Sequence, residues 1–149
     1  MKLISIAAVA ALFATSASAA IVVGGVTTQL TVVEHATSDA TAPIGKAKDN
    51  RGDILTFANP IFDAANKSQV GTDNGFCIRT VAGSAYECSW VTSLAGGQIT
   101  VTGPFHDAGD TTLAITGGTG KYLGAKGEML LHARDAKGSA YDFKFTLVK

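Results

Sequence analysis

Glu34 is the residue whose type and position most directly indicate chemistry. It follows Leu30 and Val32 at alternating positions of the run 27–36, so a strand that turns these apolar side chains inward also turns the carboxylate inward. A buried carboxylate without a partner is costly, and its pKa normally rises. Such a group can act as a general base or an electrostatic anchor. Alternatively, Glu34 lies at the rim of the fold or pairs with Arg79 or a lysine.

Asn59 is the second candidate. It shares one face of the run 54–59 with Leu55 and Phe57, so its amide could hold a water molecule or a ligand oxygen inside the fold. The other interpretation is that Asn59 ends the strand and caps a turn at Pro60. The sequence alone leaves both open.

The two cysteines have competing interpretations. Residues 75–94 read as a hairpin around Ala82-Gly83, and a two-residue turn there places Cys77 opposite Cys88. Opposed residues in an antiparallel pair lie ~4.5–5.5 Å apart at Cα, within the range that a disulfide accepts. Cys77 could instead be an inward-facing thiol, but an oxidising compartment favours the disulfide.

Composition argues against several classes of partner. The chain has 149 residues, with 12 basic and 12 acidic side chains, so it has no broad basic surface for nucleic acid or an anionic membrane. His35, His106 and His132 lack metal-ligand spacing, and we predict neither a metal nor a cofactor.

The amino terminus has the features of a secretory signal peptide. Met1-Lys2 is followed by an apolar run at 3–13 and by the small-residue cleavage signal Ala17-Ser18-Ala19. We therefore predict a signal peptide at residues 1–19, a single domain at 20–149, and a secreted or periplasmic protein. The apolar run is too short to span a bilayer.

Alternating apolar and polar residues dominate the remaining sequence, and helix signals are almost absent. We count eight strands joined mostly by short turns, with longer loops at 37–52 and 61–74. Eight antiparallel strands predict an all-β barrel wide enough for one small ligand or for side chains alone, with a sandwich as the alternative. Met129-Leu130-Leu131 is apolar on both faces, which indicates that part of the outside is an oligomer interface.

Four runs carry a family resemblance. GDILTFAN, VGTDNGFCI, TVTGPF and LAITGGTG occur in the order and near the spacing of allene oxide cyclases, so that about residues 29–147 resemble the allene oxide cyclase and dirigent superfamily. The resemblance implies an eight-stranded antiparallel barrel that assembles as a homotrimer. The match to dirigent proteins is thinner, because Leu123 and Lys126 stand where their arginines are expected.

The resemblance also implies roles for particular residues. In allene oxide cyclases, a strand glutamate in an L-x-V-x-E setting delocalises charge as an epoxide opens. A loop proline and an asparagine help to hold the water that binds the epoxide oxygen, and a cysteine assists at the other end of the pocket. These places fall on Glu34, Pro43, Asn59 and Cys77.

Two further water-holding positions differ from that pattern. Ala36 replaces an asparagine and Ala42 replaces a serine, so the fold carries over and the substrate does not.

The sequence thus predicts a cofactor-independent barrel that binds a small apolar molecule and isomerises or cyclises it. Glu34 would be the anionic catalyst, with Asn59 and Cys77 in the catalytic set and Pro43 and Phe57 contacting the ligand. The rivals are a non-catalytic binding or structural barrel and a dirigent-like guide of coupling reactions.

Overall fold

The alternating runs form antiparallel strands throughout residues 26–148, the part of the chain that the computed structural model describes. The strands are β1 (Thr27–His35), β2 (Ala40–Ala42), β3 (Ile54–Asp63), β4 (Gln69–Val81), β5 (Ala85–Leu94), β6 (Gly97–His106), β7 (Thr111–Gly118), β8 (Lys126–Ala133) and β9 (Ala140–Val148). A 3₁₀ turn, Gly120–Tyr122, lies between β7 and β8. The predicted signal peptide at 1–19 lies outside the described residues.

Pairing between β1 and β3 closes the sheet into a barrel. The strands follow the order β1-β9-β8-β7-β6-β5-β4-β3-β2, and β1 also pairs with β3 through Val32↔Asp63, Val33↔Phe62 and Glu34↔Ile61. The short β2 pairs with the beginning of β3. Eight antiparallel strands therefore form the closed wall, which confirms the predicted barrel and excludes the sandwich.

The barrel interior is apolar and contains most of the aromatic rings. Inward-facing side chains from the eight wall strands form one buried cluster, which includes Trp90, Ile99, Leu113, Met129, Phe143 and Phe145. The described residues contain no helix long and apolar enough to cross a membrane.

β3 continues through Pro60, which the sequence analysis took as its end. The amide of Ala58 donates to Ser38 Oγ, on the side away from β4, and amides two residues apart in a strand face the same side. The nitrogen of Pro60 therefore faces the interval between the β2–β3 and β1–β3 ladders, where no strand needs its missing N–H. The loop predicted at 61–74 shrinks to residues 64–68.

The β4–β5 hairpin has the predicted cysteine register but a different turn. Three residues, 82–84, separate the strands, and Val81 pairs with Ala85. A register shift between Arg79 and Val81 compensates for the extra turn residue, so Cys77 still lies opposite Cys88.

Exposed apolar side chains lie together on the outer face of β3 and β4. Ile54 is 39% exposed, Phe76 49% and Ile78 43%, and Ile54 pairs directly with Ile78. Leu130 on β8 is half-buried. The large apolar side chains that are exposed in the middle of the wall thus include residues of β3 and β4 but none of the three β8 residues at which the sequence had indicated an interface. We call Ile54, Phe76 and Ile78 the outer patch.

Candidate functional site

Glu34 lies near the carboxyl end of β1, between Tyr141 of β9 and Ile61 of β3. Its side chain is buried and lines a cavity of about 70 Å³ at this end of the barrel. The cavity is lined by one carboxyl group from β1, one from the following loop, and mainly apolar or aromatic residues: Glu34, Asp39, Leu55, Phe57, Cys77, Trp90, Phe105, Leu131, Tyr141 and Phe143.

Asn59 holds Glu34 in place. Its Nδ2 donates to Glu34 Oε1 at 2.7 Å and to Asp39 Oδ1 at 2.9 Å. Its Oδ1 accepts hydrogen bonds from the Thr37 amide at 3.0 Å and from the Ser38 amide and hydroxyl, both at 2.9 Å. Both amide hydrogens are thus engaged by the protein. Asn59 is not among the residues that line the cavity, and this geometry makes it a positioning residue for Glu34.

Asp73 is the part of the site that the sequence analysis missed. It pairs with Asn59 across the β3–β4 ladder, is fully buried, and interacts directly with the Glu34 carboxyl group. Apart from the Glu34 carboxyl group, no donor among the described residues reaches either of its carboxylate oxygens with good hydrogen-bond geometry. The signal was present in the alternation of Asp73, Gly75 and Cys77, but reading 61–74 as a loop concealed it.

Burial and mutual repulsion raise the pKa of both carboxyl groups. Burial is the main cause that raises the pKa of Glu34 well above its usual range, and the neighbouring Asp73 carboxylate raises it further, against the hydrogen bond from Asn59. Burial raises the pKa of Asp73 to about 7, while hydrogen bonding with Glu34 opposes this rise. The two groups titrate as a pair, because ionising one raises the cost of ionising the other.

Aromatic rings form most of the cavity wall. Phe57 and Trp90 meet edge to face with centroids 5.9 Å apart, and Trp90 lies 5.7 Å from Phe143. On the other side, Phe105 and Tyr141 meet at 6.0 Å. Burial, followed by the nearby Glu34 carboxyl, raises the pKa of Tyr141 to about 12, so its hydroxyl stays protonated.

Of the remaining predicted site residues, two line the cavity and one does not. Phe57 and Cys77 line the cavity, but Cys77 is bonded to Cys88 in a disulfide, so neither sulfur is available as a thiol. Pro43 is exposed and does not line the cavity. The loop contacts Asn59 through Thr37, Ser38 and Asp39 instead.

Arg79 does not neutralise Glu34. Its Nε lies 2.8 Å from Asp49 Oδ1 and its Nη1 lies 2.6 Å from Asp107 Oδ1, while its guanidinium stacks 3.6 Å from the centre of the Tyr86 ring. The proposed Glu34–Arg79 pair was therefore wrong. Arg79 instead joins two loops near the cavity end of the barrel.

A larger outer groove adjoins the cavity. It has a volume of about 320 Å³ and lies between the loops that follow β6 and β8. Phe105, Leu131 and Tyr141 line both spaces, so the groove and the cavity are neighbours at the same mouth. Among the residues described, no group of three or more His, Cys, Asp and Glu side chains is arranged to hold a metal ion.

The fold and the site define a closed β-barrel with an acidic, aromatic-lined cavity at one end. The family described as "Allene oxide cyclase" matches residues 26–135, which is 110 of the 149 residues. The chain belongs to the allene oxide cyclase family.

Solved structures with the same fold include proteins of different activity. A protein described as a pyocyanin demethylase is 27% identical, with a TM-score of 0.66, and the match covers 78% of this chain and 98% of that one. The exo-specific intermolecular Diels-Alderase AbnU is 14% identical, with a TM-score of 0.68 over 84% of this chain and all of its own. The pterocarpan synthase dirigent protein PsPTS1 is 16% identical, with a TM-score of 0.64 over 82% and 93%. The last two likenesses are of fold alone.

Proposed function

We propose that this protein is an exported barrel that binds a small, mainly apolar molecule in the Glu34 cavity and isomerises or cyclises it without a cofactor. The observation that carries this proposal is one buried carboxyl group that faces a cavity lined mainly by aromatic and aliphatic side chains and forms no ion pair among the described residues. A group isolated in this way has its protonation state tuned by burial, which is the usual arrangement for acid–base chemistry.

In this proposal Glu34 acts as an acid. The sequence predicted an anionic catalyst, but burial and the neighbouring Asp73 carboxylate raise the pKa of Glu34 well above its usual range, which favours the protonated carboxyl group. The carboxyl group can then donate to a ligand atom that gains negative charge during reaction. Asn59 fixes the orientation of the Glu34 carboxyl group, and Asp73 supplies a second, buried carboxyl group next to it. The aromatic walls exclude water and select one ligand conformer.

The disulfide and the outer patch support export and assembly. A disulfide persists most readily in an oxidising compartment, which agrees with the signal peptide predicted from the sequence. Three exposed apolar side chains on one wall favour the homotrimer that the family resemblance implies.

A comparison of probe binding to two variants tests the binding proposal. We expect the neutral fluorescent probe N-phenyl-1-naphthylamine to bind the protein and quench the fluorescence of Trp90, the only tryptophan. Leu131→Phe, which fills the mouth shared by cavity and groove, should abolish binding. Leu130→Phe, on the outward side of the same strand, should not. Absence of binding, or equal binding to both variants, would contradict the proposal.

Catalysis is tested on compounds that displace the probe. Pyocyanin is the first to try, because the relative named for its demethylation matches this chain over 98% of that relative's length. We expect Glu34→Gln to fold and bind as the unaltered protein does but to lose turnover of any substrate so found. Turnover that survives in Glu34→Gln would remove Glu34 from the chemistry.

The second candidate is a non-catalytic binding barrel. The cavity of about 70 Å³ favours it, because ligand sites usually measure roughly 300–1,000 Å³ and this space alone holds only a small group. Binding of ligands with no conversion of any of them, at any pH, would select this candidate.

A further inference from the structure

The walls of the cavity and the outer groove carry acidic side chains but no lysine or arginine. The cavity presents Glu34 and Asp39, and the groove presents Asp107 and Asp135, while no lysine or arginine lines either space. Among the residues that line the two spaces, His106 is the only one of basic type. The whole chain, by contrast, balances 12 acidic with 12 basic side chains.

The groove carboxylates are held by a cation or by backbone amides, whereas the cavity carboxyl groups of Glu34 and Asp39 are held by the neutral side-chain amide of Asn59. Asp107 pairs with Arg79, and Asp135 accepts hydrogen bonds from the Lys137 and Ser139 amides. None of the ion pairs between described residues includes Glu34, Asp39 or Asp73. Asp73 is fully buried, and it interacts with the Glu34 carboxyl group rather than with a cation. No ion pair among the described residues therefore balances the carboxyl groups at the cavity end.

The same inner end is surrounded by aromatic faces and edges. Phe57, Trp90 and Phe143 form a continuous set of contacting rings, and Phe105 and Tyr141 close the opposite side. Organic cations are attracted to aromatic faces, more strongly where water is excluded, and groups of aromatic rings commonly recognise quaternary ammonium ligands. A carboxylate or phosphate ligand would meet repulsion with no basic group to offset it.

We propose that the ligand is an organic nitrogen cation, with its charge in the inner cavity near Asp39 and its apolar body in the outer groove. This inference rests on the proposed function, since it names the class of molecule that the same site takes. Asp39 supplies the attraction: it lines the cavity, and its Oδ1 is oriented by Asn59.

Three probes of nearly equal shape separate charge from shape. They are N-methylquinolinium, its neutral isostere 1-methylnaphthalene, and the anion 1-naphthoate. Because the chain has one tryptophan and Trp90 lines the cavity, the single indole N–H signal in a ¹H–¹⁵N spectrum reports occupancy of this site. We expect the cation to bind at least about tenfold more tightly than the neutral isostere, and the anion to bind most weakly.

Two isosteric variants assign the preference to the cavity. Asp39→Asn removes the carboxylate but keeps an oxygen for Asn59, and it should weaken cation binding about five- to tenfold while leaving the neutral isostere unchanged. Glu128→Gln removes the same charge from an exposed position outside both linings and should change neither affinity.

The outcomes distinguish the inference from the proposed function. Equal or tighter binding of the neutral or anionic probe would overturn the cation assignment and leave an apolar-ligand barrel standing. Equal effects of Asp39→Asn and Glu128→Gln would also overturn it, because the preference would then come from net charge. If no probe shifts the Trp90 signal, both the inference and the proposed function fail.

Discussion

At the scale of single residues, the site depends on two carboxyl groups and the amide that orients one of them. Glu34 lines the cavity, Asn59 donates a hydrogen bond to its Oε1, and Asp73 is buried against the Glu34 carboxyl group. Two buried carboxyl groups in contact cannot both ionise at low cost. Their repulsion therefore favours the protonated form of the pair, and the proposed acid role of Glu34 depends on it.

Asp73→Asn should change how stability depends on pH. Because the pKa of Asp73 is raised to about 7 in the folded state, the folded protein binds the extra proton and loses stability as pH rises from about 4 to 7. Asp73→Asn removes this loss, so its stability relative to the unaltered protein should increase with pH, by on the order of 4 kcal/mol at most. Urea unfolding at pH 4, 6 and 8 measures this difference. A difference that is flat or falls with pH would contradict the buried-pair account.

The inward position of Glu34 could be predicted from the sequence, because Glu34 alternates with Leu30 and Val32 and so shares the apolar face of the strand. Asp73 was not recognised, because its strand has glycine at 71 and 75 and polar residues between, which read as a loop. The role of Asn59 depends on Thr37, Ser38 and Asp39, and a contact between such distant segments cannot be derived from local pattern.

At the scale of elements, β3, β4 and β5 build the aromatic wall. Gly75 lies between Phe57 and Trp90 and lets the two rings approach the backbone.

The sequence wrongly predicted that β3 ends at Pro60 and that a two-residue turn joins β4 to β5, and both errors have the same cause. Rules based on local sequence end a strand at proline and assume a hairpin without a bulge. In the barrel, the pairing between neighbouring strands decides which backbone N–H groups need a partner. It also decides where a β-bulge accommodates an extra residue.

Gly75→Ala should disturb this wall. A Cβ at Gly75 would lie 2.9 Å from Phe57 Cζ and nearer still to Trp90 Cβ, so a ring or strand must move. We expect a destabilisation of about 1–3 kcal/mol and a shift of the Trp90 indole signal. Gly117→Ala is the control, since a Cβ there meets nothing within 4 Å. Equal effects of the two substitutions would show that the wall is not tightly packed at Gly75.

The disulfide between β4 and β5 was predicted from register and is present. It joins neighbouring strands and closes a short loop, so it stabilises the fold by at most ~3 kcal/mol. Its larger consequence is chemical, since it removes the thiol that the family resemblance implied for Cys77.

At the scale of the whole molecule, closure of β1 on β3 was predictable from strand count and family resemblance, but the outer surface was not. Met129-Leu130-Leu131 directed attention to β8, whereas the exposed apolar side chains lie on β3 and β4. Which outward positions are covered depends on tertiary packing, and alternation within one strand does not reveal it.

The trimer prediction follows from the outer patch. We expect sedimentation at micromolar concentration to give the mass of three chains, and Phe76→Lys, which places a charge in the patch, to shift the population to monomers. Lys126→Glu, another exposed charge change on a wall strand, serves as control. A monomer for the unaltered protein would end the proposal.

The most direct test of the account is the titration of the Glu34 carboxyl group by ¹³C NMR. The chain has three glutamates, and Glu34→Gln identifies the Glu34 signal. The predicted midpoint lies well above the value of about 4.3 typical of glutamate, and it falls in Asp73→Asn, because removing the neighbouring carboxylate removes a cause of the raised pKa. A midpoint near 4.3, or one unchanged by Asp73→Asn, would contradict the claim that a protonated Glu34 faces the ligand.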